Sequence, residues 1–147
     1  MKILSIKNKT RYLEEYIKLC YLEWPNKDMD LSNYIEYKKS KILKGDNVIS
    51  ILGLIDNDTL IGFISLFKQD GEERKDLTPW YATMYVKKEY RGKGYSKILN
   101  DAIIKEARLL GYNKLYLKSD LINYYEKFDA KYICKLKNLE NLYYIEL

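Results

Sequence analysis

Val86-Lys-Lys-Glu-Tyr-Arg91-Gly-Lys-Gly94-Tyr-Ser96 is the stretch of sequence that decides the fold, and a segment of helical periodicity follows it from Ile98 onward. The aromatic and β-branched residues from Trp80 to Val86 predict a strand that leads into this stretch. A helix that begins after a basic, glycine-containing turn offers free backbone N–H groups, and its dipole favours negative charge there. The stretch therefore predicts a phosphate or pyrophosphate site that is built mainly from main chain.

The turn departs from the two commonest phosphate-binding motifs. It lacks the spacing of a Walker loop, and position 97 is Lys where the dinucleotide fingerprint requires its third glycine. What remains, Arg91-x-x-Gly94-x-Ser96, resembles the Arg/Gln-x-x-Gly-x-Gly/Ala pyrophosphate loop of the GCN5-related N-acetyltransferase (GNAT) superfamily. The lead-in Thr78-Pro-Trp-Tyr-Ala-Thr-Met-Tyr-Val and the later Tyr124-Tyr-Glu-Lys-Phe128 resemble the same family. The plain alternative is an ordinary strand–turn–helix corner.

Length and composition predict one domain over residues 1–147 with a single core, since 47% of the residues are hydrophobic. No apolar run approaches the ~18 residues of a membrane span. The N-terminal residues contain an apolar stretch that is too short for a secretory signal, so we expect a cytoplasmic protein. In that compartment Cys20 and Cys134 are expected to be reduced core thiols.

Charge and the lack of histidine limit the chemistry. The net charge of +5 suits anionic partners, but there is no dense Lys/Arg block, so nucleic-acid binding is only the weaker alternative. The chain has no histidine, which excludes Ser-His-Asp and Cys-His catalysis. It also removes the usual ligands of a catalytic zinc site, and we predict no metal.

The hydrophobic pattern predicts an α/β fold with a mixed sheet, in the order β-α-α-β-β-β-α-β-α-β-β, which matches the topology of the GNAT family. The predicted strands are Ile3–Ile6, Val48–Ile55, Thr59–Phe67, Trp80–Val86, Lys114–Lys118, Lys131–Leu136 and Leu142–Leu147. The predicted helices are Thr10–Glu23 with Thr10 as N-cap, one from a Ser32 cap to Leu43, Ser96–Leu110 and a short one over Leu121–Lys127. The fourth and fifth strands are predicted to be parallel through a right-handed crossover.

The resemblance implies how the site is built. In the family the fourth and fifth strands splay apart, and the pantetheine arm of acetyl-CoA pairs with the edge of the fourth strand. Backbone groups of Met84, Tyr85 and Val86 would contact pantetheine by this resemblance. Main-chain amides from Arg91 to Ser96 would hold the pyrophosphate, namely those of Arg91, Gly92, Lys93, Gly94, Tyr95 and Ser96. Ser96 departs from the family's usual Gly or Ala.

Tyr125 is the candidate catalytic residue. It aligns with the tyrosine that protonates the departing coenzyme A thiolate in many relatives, and a phenol is a reasonable donor to a thiolate. Tyr124 takes the family's Phe position and is expected in the core. Asp129-Ala130 replaces the family's Gly-Phe, and Asp accepts left-handed turn conformations. The general base stays open, with Asp76 and Asp120 as the nearest carboxylates and Glu72 and Glu73 as weaker ones.

The resemblance implies an acetyl-CoA-dependent N-acetyltransferase that acts on a primary amine by direct attack in a ternary complex. A non-catalytic acyl-CoA-binding sensor is the first alternative. The acceptor, a small molecule or a peptide, stays unidentified, and a homodimer is open because dimers are common in the family. Some aromatic side chains could line an acceptor site, although core packing suits most of them: Trp24, Tyr34, Tyr37, Trp80 and Tyr81.

Overall fold

The computed structural model describes residues 1–147 and contains one seven-stranded sheet with the strand order β1-β2-β3-β4-β5-β7-β6. The strands are β1 Lys2–Ser5, β2 Val48–Asp56, β3 Thr59–Phe67, β4 Trp80–Val86, β5 Lys114–Ser119, β6 Lys131–Lys135 and β7 Asn141–Glu146. The helices are α1 Thr10–Glu23, α2 Leu31–Leu43 and α3 Tyr95–Leu109. Single 3₁₀ turns cover Lys88–Tyr90 and Tyr125–Phe128. The predicted mixed α/β architecture is confirmed.

One predicted helix is wrong. Instead of a helix over Leu121–Lys127, the chain forms only the 3₁₀ turn Tyr125–Phe128. Asn123 has a φ of 58°, in the left-handed region, which a right-handed helix cannot include. Asp129 then ends the turn with a φ of 67°, a left-handed conformation that Asp accepts.

Both predicted N-caps also differ from the structure. Lys9 precedes α1 and makes no side-chain cap, while Thr10 is already helical. For α2 the carboxylate of Asp30 accepts a hydrogen bond from the backbone N–H of Asn33 at 2.9 Å. Asp30 therefore caps the helix in place of Ser32, because an ionised oxygen is at least as good an N-cap acceptor as a hydroxyl.

The sheet has one main hydrophobic core on each face, in place of the single core that the composition predicted. α3 covers one face and buries Leu99, Ile103 and Ala107 against β2, β3 and β5. α1 and α2 cover the other, where Leu13 and Ile17 pack on the opposite side chains of β2 and β3. β3 is buried on both faces, which explains its continuous apolar sequence. No helix combines the length and apolar composition needed to cross a bilayer.

β4 carries a β-bulge in its pairing with β3. Ala82 pairs with Ser65 and Tyr85 with Phe63, so two residues of β4 lie opposite one residue of β3. Thr83, inside this bulge, has a φ of 49°, which is unusual for a β-branched residue. Its hydroxyl donates to that of Ser65, which also shares a hydrogen bond of 2.8 Å with the hydroxyl of Tyr16. This buried contact ties α1 to the bulge.

Candidate active site

The predicted anion loop lies between the end of β4 and the start of α3. Gly92 and Gly94 have φ values of 77° and 82°, which L side chains rarely adopt. The backbone N–H groups from Gly92 to Lys97 donate to no acceptor within the chain. A Cβ placed at either glycine would meet no atom within 4 Å. The loop therefore presents free donors to open space, as a bound phosphate requires.

Arg91 stabilises the loop with its side chain, and its amide is already used. The backbone N–H of Arg91 donates to the carbonyl of Lys88 at 3.2 Å, so this amide is not free for a ligand, contrary to the sequence prediction. Its Nε donates to the carbonyl of Val86 at 2.7 Å. The guanidinium carbon lies 5.5 Å from the ring centroid of Tyr85. These contacts fix the loop against the end of β4.

A cleft of about 480 Å³ joins the loop to the open edge of β4. Eight of the predicted cofactor-binding residues are on its wall: Met84, Tyr85, Val86, Arg91, Gly92, Gly94, Tyr95 and Ser96. Lys93 is not on the wall, and its Nζ lies 5.8 Å from the ring centroid of Tyr90. The structure thus brings the strand edge and the loop together in one cavity.

Four further residues of the wall were not expected there from the sequence: Glu23, Tyr90, Tyr124 and Lys127. A fifth, Trp24, is one of the aromatic residues that the sequence named for an acceptor site. Tyr124 was expected in the core, but it is half-buried and faces the cleft. The Nζ of Lys127 lies 4.0 Å from the ring centroid of Tyr124, so it adds positive charge to the wall of the cleft. Its place in the Tyr-Glu-Lys segment was the only signal that could have found it.

Tyr125 is not on the wall of the cleft. Its ring packs behind Tyr124, with centroids 4.8 Å apart, and against Tyr81 at 5.9 Å. Burial raises the pKa of Tyr125 to about 12, and the charges that Tyr124 and Asp120 carry when ionised act in the same direction. The phenol therefore keeps its proton at neutral pH, which an acid requires.

The carboxylates considered as bases lie elsewhere. Asp76 forms a bidentate ion pair with Arg74, and hydrogen bonds from that guanidinium lower its pKa. Glu72 is 2.6 Å from the Nζ of Lys75, and Glu73 accepts from the backbone N–H of Lys137 at 3.0 Å. Neither these groups nor Asp120 line the cleft, whose one carboxylate is that of Glu23 at the end of α1.

Residues 10–130, which include the strand edge, the loop and the Tyr124–Phe128 segment, match the model of the Acetyltransferase (GNAT) family. The chain belongs to the acetyltransferase (GNAT) family. The resemblance predicted from Arg91-x-x-Gly94-x-Ser96 is thereby confirmed, and the enzymes of this family use acetyl-CoA as their co-substrate. No curated protein is significantly similar in sequence.

Solved structures of GNAT proteins share the whole fold. An N-acetyltransferase from Staphylococcus aureus Mu50 matches at 20% identity over 99% of this chain and 96% of its own, with a TM-score of 0.70. An aminoglycoside 6'-N-acetyltransferase complexed with coenzyme A matches at 18% identity over 98% and 94%, with a TM-score of 0.71. PaiA N-acetyltransferase from Thermoplasma acidophilum, in complex with coenzyme A, matches at 20% identity over 100% of both chains, with a TM-score of 0.63. At these identities the GNAT fold is what the structures share.

Proposed function

We propose that the protein is an N-acetyltransferase that transfers the acetyl group of acetyl-CoA to a primary amine by direct attack in a ternary complex. The observation that carries the proposal is the single cleft in which the loop Gly92–Ser96 and the edge of β4 meet. Free N–H donors suit a pyrophosphate, and an unpaired strand edge suits the amide-containing pantetheine arm. The coenzyme A in two similar structures supports the same ligand.

The loop and the cations at the cleft hold the phosphates in this proposal. The N–H groups of Gly92 to Ser96 contact the pyrophosphate, while Arg91 and Lys127 supply positive charge. At the bulge and just after it, Met84, Tyr85 and Val86 offer backbone groups to pantetheine. A strand N–H that points at the thioester oxygen stabilises the negative charge that develops there during acyl transfer.

The reaction needs two proton transfers. The amine nitrogen forms a bond to the acetyl carbonyl carbon, the carbon–sulfur bond breaks, the nitrogen loses a proton and the thiolate gains one. Tyr125 is the proposed donor to sulfur, since its phenol is protonated at neutral pH. We assign the amine proton to Glu23, because no other carboxylate lies on the cleft wall.

Calorimetric titration with acetyl-CoA, dephospho-CoA and ATP tests the proposal, together with coenzyme A release in the presence of amines. We expect micromolar binding of acetyl-CoA and coenzyme A release that depends on an amine. Binding without turnover on any amine would favour the acyl-CoA sensor. No binding of acetyl-CoA, with salt-dependent binding of nucleic acid, would overturn the proposal in favour of the nucleic-acid alternative.

A further inference from the structure

A second cavity, of about 240 Å³, lies on the α1–α2 side of the sheet. Its wall is mostly apolar and includes Tyr16, Ile17, Tyr34 and Phe67. The volume is below the about 300–1,000 Å³ of sites for drug-sized ligands, and an apolar cavity of about 150 Å³ already accepts one benzene ring. The second cavity therefore has room for a small apolar group, about one aromatic ring or one branched aliphatic chain.

The second cavity adjoins the cleft at two points. Trp24 lies on the walls of both. On β4, Thr83 lines the second cavity and its neighbour Met84 lines the cleft. In the proposed complex the acetyl group lies at the edge of β4. Only the bulge separates a molecule in the second cavity from that edge.

The charge on the wall limits the chemistry of the occupant. The second cavity has one charged residue, Lys38, and no Asp or Glu. Lys38 has no carboxylate within 4.0 Å, whereas the next residue, Lys39, pairs with Glu14 and Glu36. A polycationic acceptor such as an aminoglycoside would find no counter-charge here, while a carboxylate would find Lys38.

The thiol on the wall does not take part in chemistry. Burial raises the pKa of Cys20 to about 12, so the group remains a thiol at neutral pH. Because the thiolate is the reactive form, Cys20 is a poor nucleophile and serves as a small apolar wall residue.

We propose that the second cavity binds the apolar body of an acceptor that carries both an amine and a carboxylate, with the carboxylate at Lys38 and the amine directed to β4. An amino acid with an aromatic or branched aliphatic side chain has this chemistry. The inference rests on the proposed acetyl-transfer function and names its class of substrate. The step is the one given above, in which the amine acquires the acetyl group and coenzyme A leaves as a thiol.

The test compares acceptors that differ in one group. Coenzyme A release is measured with L-phenylalanine, with phenethylamine, which lacks the carboxylate, and with kanamycin as a polycation. We expect L-phenylalanine to have the highest kcat/KM, about tenfold above phenethylamine, as one charged hydrogen bond implies. Equal or higher values for phenethylamine or kanamycin would overturn the proposal and leave acetyl transfer intact.

Two variants separate charge from shape. Lys38→Met should lower kcat/KM for L-phenylalanine to the value for phenethylamine and leave the latter unchanged. Cys20→Phe should lower kcat/KM for both acceptors, because the new side chain fills the cavity. Lys18→Met is the matched control, because Lys18 is exposed on α1, lies on neither wall and forms no ion pair. Retained binding of acetyl-CoA verifies that each variant is folded.

Binding is measured independently of turnover with the product, N-acetyl-L-phenylalanine, through the fluorescence of Trp24 in a Trp80→Phe background. Saturable binding that Lys38→Met weakens supports the inference even where the amines react slowly. Absence of binding in a protein that still binds acetyl-CoA overturns it. Absence of acetyl-CoA binding itself would overturn the proposed function, so the two failures are distinguishable.

Discussion

Trp80 on β4 and Tyr116 on β5 form the only register pair between these two strands, and their ring centroids are 6.0 Å apart. From this contact onward the strands diverge, so the last residues of β4 keep an edge that β5 does not cover. The neighbouring backbone N–H of Tyr116 donates to the carbonyl of Pro79 at 3.0 Å, which secures the closed end. The pair therefore acts as the fixed end of an opening that includes the cleft.

Trp80 should support the fold far more than Trp24. Trp80 is 1% exposed and Trp24 is 49% exposed. Trp80→Ala is expected to lower the free energy of unfolding by about 3–5 kcal/mol, the usual cost of removing a buried aromatic ring. Trp24→Ala should stay within about 0.5 kcal/mol of the parent. Urea denaturation measures both, and similar losses would contradict the assigned burial.

Gly94→Leu should abolish the binding of acetyl-CoA, because the side chain would fill the space in front of the free N–H groups. Gly111→Leu is the matched control, since Gly111 also has a positive φ with open space around it and lies at the far end of α3. Both should be destabilised by about 1–2 kcal/mol from the left-handed backbone. Calorimetry should find binding lost in the first alone, and retained binding in Gly94→Leu would reject the loop assignment.

Tyr125→Phe should reduce kcat by about 10²–10⁴-fold with little change in acetyl-CoA affinity, because general acid catalysis acts on the transition state. Tyr132→Phe provides the control, as Tyr132 is exposed on β6. Steady-state kinetics and calorimetry are read together. Unchanged turnover in Tyr125→Phe would remove the proposed proton donor.

Glu23→Gln should lower kcat by about tenfold or more at neutral pH, since it removes the only carboxylate of the cleft wall. Asp76→Asn and Asp120→Asn should lower turnover much less than Glu23→Gln, as both carboxylates lie off the wall and Asp120 acts only through the pKa of Tyr125. The pH dependence of kcat/KM is measured for all three. If kcat fell only in Asp120→Asn, the general base would be Asp120, in the loop after β5.

Stability should fall at alkaline pH because tyrosines resist ionisation in the fold. Burial raises the pKa of Tyr125 to about 12 and raises those of Tyr16 and Tyr81 above their ordinary value. Below about pH 10 these groups are protonated in both states, so their contribution is fully present. Between about pH 10 and 12 the unfolded chain loses protons first, and the free energy of unfolding decreases. Urea midpoints should show a shallower decrease in Tyr125→Phe than in the parent.

Much of the fold could be predicted from local pattern. The bounds of α1, β3 and β4 are those that the periodicity predicted, because each has an uninterrupted apolar stripe or run. The segment before Tyr125 could not be predicted in the same way. Leu121 and Ile122 have a helix-compatible composition, yet both are exposed, and the left-handed Asn123 depends on how the loop returns to β6.

The candidate site also has one part that could be predicted from local sequence and another that depends on tertiary structure. The loop Gly92–Ser96 follows from glycine conformation and from free helix-start donors, both of which are local properties. Glu23, Lys127 and the second cavity depend on how α1 and the 3₁₀ turn approach β4, and no spacing in the sequence carries that information. The bulge at Thr83 is a tertiary feature too, since hydroxyl groups on two other elements hold it.

The position of Trp24 between the two cavities would couple the binding of the two substrates. Because Trp24 is part of both walls, a ligand that reorients its side chain in one cavity would change the affinity of the other cavity for its own ligand. Thermodynamic linkage requires the effect to be mutual: the factor by which acetyl-CoA alters acceptor affinity equals the factor by which the acceptor alters acetyl-CoA affinity. The half-saturating concentration of each substrate would then depend on the concentration of the other.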